Sequence, residues 1–214
     1  MNAVGQGRAY CLGPVKRALD LATAALGLVL LSPVILALAL AILVSSGRPI
    51  FYAQERIGRG GRPFRLLKLR TMRSGSERGL PITGKGDARV TPVGRFLRAS
   101  KLDELPQLIN VLSGDMSLVG PRPEVPRYVS TYGPAQRAVL DVRPGLTDPA
   151  TVLFRNEEEL LGRVEEGRRE AYYVAELLPR KLSLNLAYID DAGLRYDFIL
   201  ILRTLGIILR PHPS

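Results

Sequence analysis

The sequence predicts an α+β protein, predominantly helical, in which an N-terminal apolar membrane segment precedes a small domain with a β-hairpin and amphipathic helices. Three observations carry this. Residues 21–47 form a run of 27 without a charge, preceded by Lys16 and Arg17 and followed by Arg48. The stretch "PIFYAQERIGRGGRPFRLLKLRTMRS" holds two runs of aromatic and branched residues around Gly58, Gly60 and Gly61, the pattern of two strands joined by a glycine turn. Downstream, apolar residues recur at helical spacing.

A length of 214 residues suits one domain with a real core and a membrane appendage. The net charge of +10 calls for an anionic partner: nucleic acid, anionic lipid or a phosphorylated substrate. Cys11 is the only cysteine, which excludes an intrachain disulfide and a thiolate metal cluster. The single histidine, His212, lies in a Pro-flanked tail. Acid–base chemistry therefore falls to carboxylates, Lys or Tyr.

The apolar run exceeds the roughly 7–15 residues of a signal-peptide core. As one helix it would reach roughly 40 Å, enough to cross a hydrocarbon layer of about 30 Å. Ser32-Pro33 sits near its midpoint, where the proline cannot donate to the carbonyl of Val29 and the Ser32 hydroxyl is placed to bond it instead. Either arm alone is too short to cross. Lys16 and Arg17 on one side and a basic domain on the other both favour the cytoplasmic face. A bent re-entrant hairpin and a kinked spanning helix both fit these facts.

In the second arm of the β-hairpin, Arg65 and Lys68 stand among apolar neighbours. From Arg48 to Lys101, fourteen Lys and Arg face only Glu55, Glu77 and Asp87, a net of +11, and adhesion to anionic headgroups accounts for many of them. The Gly, Pro, Ser and Thr of residues 74–94 predict a loop. In "FLRASKLDELPQLIN" the adjacent carboxylates Asp103 and Glu104 follow a cationic run. Ser100 or Asp103 could cap a helix through "LPQLINVL", with Pro106 fixing its start. The same placement would put both acids at the positive end of a helix, where phosphates bind. Next comes "LSGDMSLVGPRPEVP", whose Gly-Pro-Arg-Pro holds Arg122 on a stiff turn, ready for phosphate oxygens or for a salt bridge to Asp103, Glu104 or Asp115.

Taken together, "KLDELPQLINVLSGDMSLVGPRP", "FYAQERIGRGGRPFRLLKLRTM" and the apolar segment broken at Ser32-Pro33 resemble the bacterial sugar transferases, the monotopic phosphoglycosyl transferases, from about Lys16 to Thr147. The resemblance implies a tail at residues 1–14, a re-entrant helix-break-helix at 15–47, and a small membrane-associated catalytic domain at 48–214 on the cytoplasmic face of a bacterial inner membrane. It implies transfer of a sugar-1-phosphate from a UDP-sugar to undecaprenyl phosphate, with release of UMP and Mg²⁺ as cofactor. The family's acidic pair falls on Asp103, as nucleophile, and Glu104, which positions the metal or the nucleophile; both are the implied metal ligands. Arg98 and Arg122 match positions near the bound phosphate, Arg155 one at the nucleotide diphosphate, and Lys68 and Arg70 belong to the same motif. Membrane phospholipid is an expected partner, nucleic acid is not, and a homodimer is compatible with the sequence.

One departure from the family pattern stands out: Arg143-Pro144-Gly145-Leu146-Thr147 continues into Asp148-Pro149-Ala150 instead of a Gly and an aromatic-Gln-Val stretch. The identity of the sugar stays open. Residues 156–189 read as a solvated helical pair packing through Leu and Tyr. The last helix, with Arg203 and Arg210, reads as either buried or lying in the headgroup plane. The rival to an enzyme is a non-catalytic basic adaptor that binds anionic lipid or nucleic acid.

Overall fold

A computed structural model describes residues 5–76, 83, 84 and 86–209. Arg210, His212 and part of the 74–94 loop lie outside the described residues. Among the described residues the chain is mostly helical. In order come α1 (Gln6–Leu12), α2 (Pro14–Ser46), β1 (Phe51–Ile57), β2 (Pro63–Leu69), α3 (Pro92–Ala99), α4 (Gln107–Ser113), β3 (Ser117–Val119) and α5 (Pro126–Val129). After them follow β4 (Gly145–Thr147), α6 (Pro149–Leu153), α7 (Glu157–Gly162), α8 (Arg169–Tyr172), a π turn (Tyr173–Leu177), α9 (Leu178–Asp191) and α10 (Leu194–Leu209).

The expected hairpin is present: β1 and β2 pair antiparallel, Phe51 opposite Leu69 and Glu55 opposite Arg65. Gly60 and Gly61 take the left-handed backbone that turns the chain, with φ of 68° and 74°. Behind the hairpin, the buried Asn110 amide acts as a stand-in for a third strand. Its Oδ1 accepts from Leu67 N–H at 3.0 Å and its Nδ2 donates to Arg65 O at 2.8 Å, so α4 is stitched to β2. A second, parallel pair joins β3 to β4. Here Gly120 and Gly145 meet so closely that a Cβ on Gly145 would lie 2.1 Å from the Gly120 nitrogen, a contact only glycine permits.

Helix α2 runs for 33 residues, about 50 Å at 1.5 Å per residue. It is the one described helix long and apolar enough to cross a membrane. The helix continues through Pro33, where the sequence predicts a break. The carbonyl of Val29, which the proline cannot serve, takes the Ser32 hydroxyl at 2.8 Å, so the expected compensation is in place and the helix carries on past the one missing backbone bond. Val29, Leu36 and Val44 are 71%, 72% and 81% exposed, an apolar surface that water would not favour.

The inner side of α2 is part of the core. Ala24 packs with Leu66, Leu108, Val111 and Met116, and Ile42 with Leu69 and Leu97. Full burial of a side chain such as Ile42 contributes about 2 kcal/mol. The two cations expected to mark a cytoplasmic flank are used internally. Lys16 is buried against Asp197 at 2.5 Å, and Arg17 donates to the carbonyls of Val111 and Leu112 at 2.7 and 3.2 Å. Charge counting along the sequence could not foresee this, because Asp197 lies 181 residues away.

The largest cluster gathers Tyr128, Leu161, Tyr173, Leu177, Leu182, Tyr188 and Leu200, so the Leu and Tyr positions of the 156–189 segment do pack the core. Helix α10 is only partly buried. Leu200 faces inward, whereas Phe198, Leu202 and Leu205 are exposed, which rules against a fully buried helix.

Candidate active site

The acidic pair does not cap a helix. Asp103 and Glu104 occupy a 3₁₀ turn (Leu102–Glu104), and α4 begins after Pro106 with no side-chain cap. Ser100 faces backwards, its hydroxyl donating to Phe96 O and Leu97 O at the end of α3. The cap expectation and the helix-dipole argument built on it are both corrected. The turn starts from Lys101, the only described non-glycine residue with positive φ, at 56°. A lysine in this region carries backbone strain.

Both carboxylates are buried, yet their surroundings differ. Glu104 Oε1 accepts from Lys68 Nζ at 2.8 Å and from Arg122 Nη2 at 2.7 Å. Burial alone would raise its pKa, but Arg122 and then Lys68 outweigh it and hold Glu104 well below the usual carboxylate range. Arg122 is in turn held above its ordinary value, chiefly by Glu104. Asp103 makes a single ion pair among the described residues, to Lys68 at 3.7 Å, and no hydrogen bond of its side chain is present there. Burial pushes its pKa up, Lys68 pulls against that, and the neighbouring Glu104 charge adds to the rise. One carboxylate is therefore locked as a permanent anion, and the other is left with uncommitted oxygens.

Arg98 on α3 lies on the far side of the turn. Its Nε donates to Thr71 Oγ1 at 2.9 Å, and its Nη1 to Thr83 Oγ1 at 2.9 Å and to Glu158 Oε1 at 3.0 Å. The result is a buried acidic pair ringed by Lys68, Arg98 and Arg122. Such a ring can accept an anion's oxygens while a carboxylate approaches its phosphorus.

Residues 12–211 match the bacterial sugar transferase family. The chain belongs to that family. It is 42% identical over 199 residues to the UDP-glucose:undecaprenyl-phosphate glucose-1-phosphate transferase of Caulobacter vibrioides, covering 91% of this chain and 69% of the relative. It is 34% identical to the enzyme of the same name from Escherichia coli, covering 89% of this chain and 39% of the relative. With the exopolysaccharide production protein ExoY of Sinorhizobium fredii it shares 34% identity, over 92% of this chain and 86% of the relative. Family membership together with α2 points to association with a membrane.

In this sugar transferase the implied site residues divide by position. Asp103, Glu104, Lys68, Arg122 and Arg98 converge. Arg70 is buried elsewhere, donating to the carbonyls of Ser46, Gly47 and Arg48 at 2.7–2.9 Å and so tying down the end of α2. Arg155 is exposed between α6 and α7. Sequence reading missed the partners that arrive from afar. Glu158 reaches Arg98 across 60 residues. Buried Asp148 caps α6 through Thr151 N–H at 3.0 Å and adds to the field that raises Arg122. Glu124 is gripped by Arg56 at 3.3 Å and by the Tyr173 hydroxyl, fixing the turn just beyond Arg122. The nearest local signal was the departure at Asp148 itself.

Proposed function

We propose that the chain transfers a sugar-1-phosphate from a UDP-sugar to undecaprenyl phosphate through a covalent intermediate on Asp103. The observation that carries this reading is the asymmetry of the pair: Glu104 Oε1 is held by Lys68 at 2.8 Å and Arg122 at 2.7 Å, while Asp103 has only a 3.7 Å ion pair to Lys68 and no side-chain hydrogen bond among the described residues. Asp103 attacks the β-phosphorus. The bond from that phosphorus to the bridging oxygen breaks, and UMP departs with the oxygen and its electron pair. An oxygen of undecaprenyl phosphate then attacks the acyl phosphate and frees the carboxylate. Arg122, Lys68 and Arg98 hold the equatorial oxygens and balance the charge that the leaving UMP develops.

The donor set fits the implied Mg²⁺. Mg²⁺ favours oxygen ligands and usually takes one or two protein carboxylates, with water and substrate phosphates completing the shell. Glu104 receives both its cations on Oε1 and leaves Oε2 without a partner among the described residues. No group of three or more acidic, His or Cys residues there could cage a metal alone. Asp103 and Glu104 would hold the ion, which when bound lowers the repulsion between the carboxylates and the diphosphate.

The way α2 is held supports a re-entrant segment with the domain on one face of the membrane, which we assign to the cytoplasmic face from the Lys and Arg excess of residues 48–101 that follow it. Lys16 and Arg17 fasten one end of α2 to the domain and Arg70 fastens the other. A spanning helix would have to release one of them.

The test is trapping. Labelled UDP-sugar, supplied with Mg²⁺ and no lipid acceptor, should leave label on Asp103 in a tryptic peptide and release one equivalent of UMP. Label recovered only in a non-covalent complex would exclude the two-step reaction. A screen of UDP-sugars by the same UMP readout identifies the sugar.

The pH profile gives a second check. Asp103 attacks only when ionised, so its raised pKa sets the acid limb of the UMP-release rate, and Glu104, ionised throughout, sets none. Lys68 is the strongest influence lowering Asp103. Lys68→Met should therefore slow the reaction and move the acid limb to higher pH; an unmoved limb would assign it to another group.

A further inference from the structure

A second cationic cluster lies at the opposite end of α4 from the acidic pair, about 10 Å away along its seven residues. Arg17 Nη1 and Nη2 donate to Val111 O and Leu112 O at 2.7 and 3.2 Å, and Arg143 Nε donates to Gly114 O at 3.0 Å. A guanidinium carries five N–H groups, so most donors of both side chains are left without a protein acceptor. Arg59, exposed at the hairpin tip, adds a third positive charge. Burial pushes Arg143 below its ordinary pKa, and Arg17 and Arg59 push the same way against the one carboxylate that opposes them, Asp20. Asp20 is already committed, accepting from Leu118 N–H at 3.1 Å. Neither Arg17, Arg59 nor Arg143 has a salt bridge among the described residues. Arg17 and Arg143 thus meet over the last carbonyls of α4 with most of their N–H groups uncommitted, and an anion resting between them removes the repulsion that Arg17 and Arg59 exert on Arg143.

We propose that Arg17, Arg143 and Arg59 form a binding site for a phosphate group, filled by the headgroup of an anionic phospholipid at the foot of α2. Depth along the helix favours a lipid over a free ion. Arg17 precedes the charge-free run at residue 21 by four residues, about 6 Å of helix rise, which is headgroup level. Leu21, four residues and so one turn beyond Arg17 on the same helix face, is 36% exposed and offers an apolar surface for an acyl chain. The inference rests on the reading that α2 lies in the bilayer, but it is independent of the reaction at Asp103.

Native mass spectrometry of the full chain, released from nonionic detergent micelles, tests it with phosphatidylglycerol and phosphatidylcholine as probes. The wild-type chain should retain one phosphatidylglycerol in preference to phosphatidylcholine. Arg143→Gln and Arg59→Gln should each weaken that retention about fivefold or more. Arg59 makes no side-chain hydrogen bond to the described residues, so its variant reports on binding even if Arg143→Gln disturbs the fold. Equal retention by the wild type and both variants would overturn the site. Displacement of the lipid by millimolar inorganic phosphate would overturn the lipid as occupant in favour of a free anion. UMP release is measured in parallel: a chain that retains lipid and releases no UMP argues against the transferase reading alone.

Discussion

Asp103→Asn should abolish UMP release, by at least about 10³-fold, and leave the folded chain as stable as the wild type or more so at neutral pH. The two effects share one cause. The pKa of Asp103 is raised, so its contribution to stability is present below the ordinary carboxylate value and is lost as pH rises through the raised one. Near neutrality the ionised group is therefore a burden on the fold, and an amide of equal size removes it. The same substitution removes the nucleophile, and no amide forms an acyl phosphate. Glu104 behaves oppositely: its lowered pKa gives stability above the ordinary value that is lost only on acidification through the lowered one. Steady-state UMP release and thermal unfolding on the same preparation check both halves. Retained activity would remove Asp103 from the mechanism, and a large loss of stability would show that its charge supports the turn.

Asp197→Asn should cost about 3–5 kcal/mol, the usual penalty for breaking a buried ion pair from one side. Lys16, 4% exposed, would be left as an unpaired charge. Tyr188 donates to Oδ1 at 2.6 Å and Tyr10 to Oδ2 at 3.0 Å; the single amide oxygen of asparagine replaces only one of these acceptors, so the loss is chiefly the ion pair with one tyrosine bond added to it. Adding Lys16→Met should recover most of it, because two neutral groups no longer need each other. Unfolding in detergent measures the cycle. A single variant as stable as the wild type would mean that water or a rearranged carboxylate already screens Lys16.

What could be read from the sequence were features whose causes are local. The hairpin follows from alternation and from glycines that alone turn easily at φ near 70°, and the Ser32 bond to Val29 follows from the spacing of hydroxyl and proline. The site residues could be named because they lie in long motifs, but their geometry could not. Pro106 suggested a helix start at Asp103, whereas Lys101 turns the chain into a 3₁₀ segment first and delays α4 to Gln107. Strands β3 and β4, three residues each, are too short to leave a pattern, and they pair because Gly120 and Gly145 can touch. Lys16 looked like a headgroup cation because its partner on α10 is invisible at any local spacing. Asn110 was equally silent: nothing in "LPQLINVL" indicates that its amide finishes the edge of a hairpin forty residues earlier.

The packing of Ala24 and Ile42 has a consequence for how such a protein can be handled or regulated. A protease or a gene deletion that removed α2 would not release a soluble enzyme, because it would strip the lid from Leu66, Leu108 and Val111 at one end and from Leu69 and Leu97 at the other. Leu97 is the residue before Arg98, and Leu102, the residue before Asp103, packs in the same cluster. The floor beneath the reactive carboxylate is thus shared with the anchor, and the site keeps its shape only while the anchor stays docked.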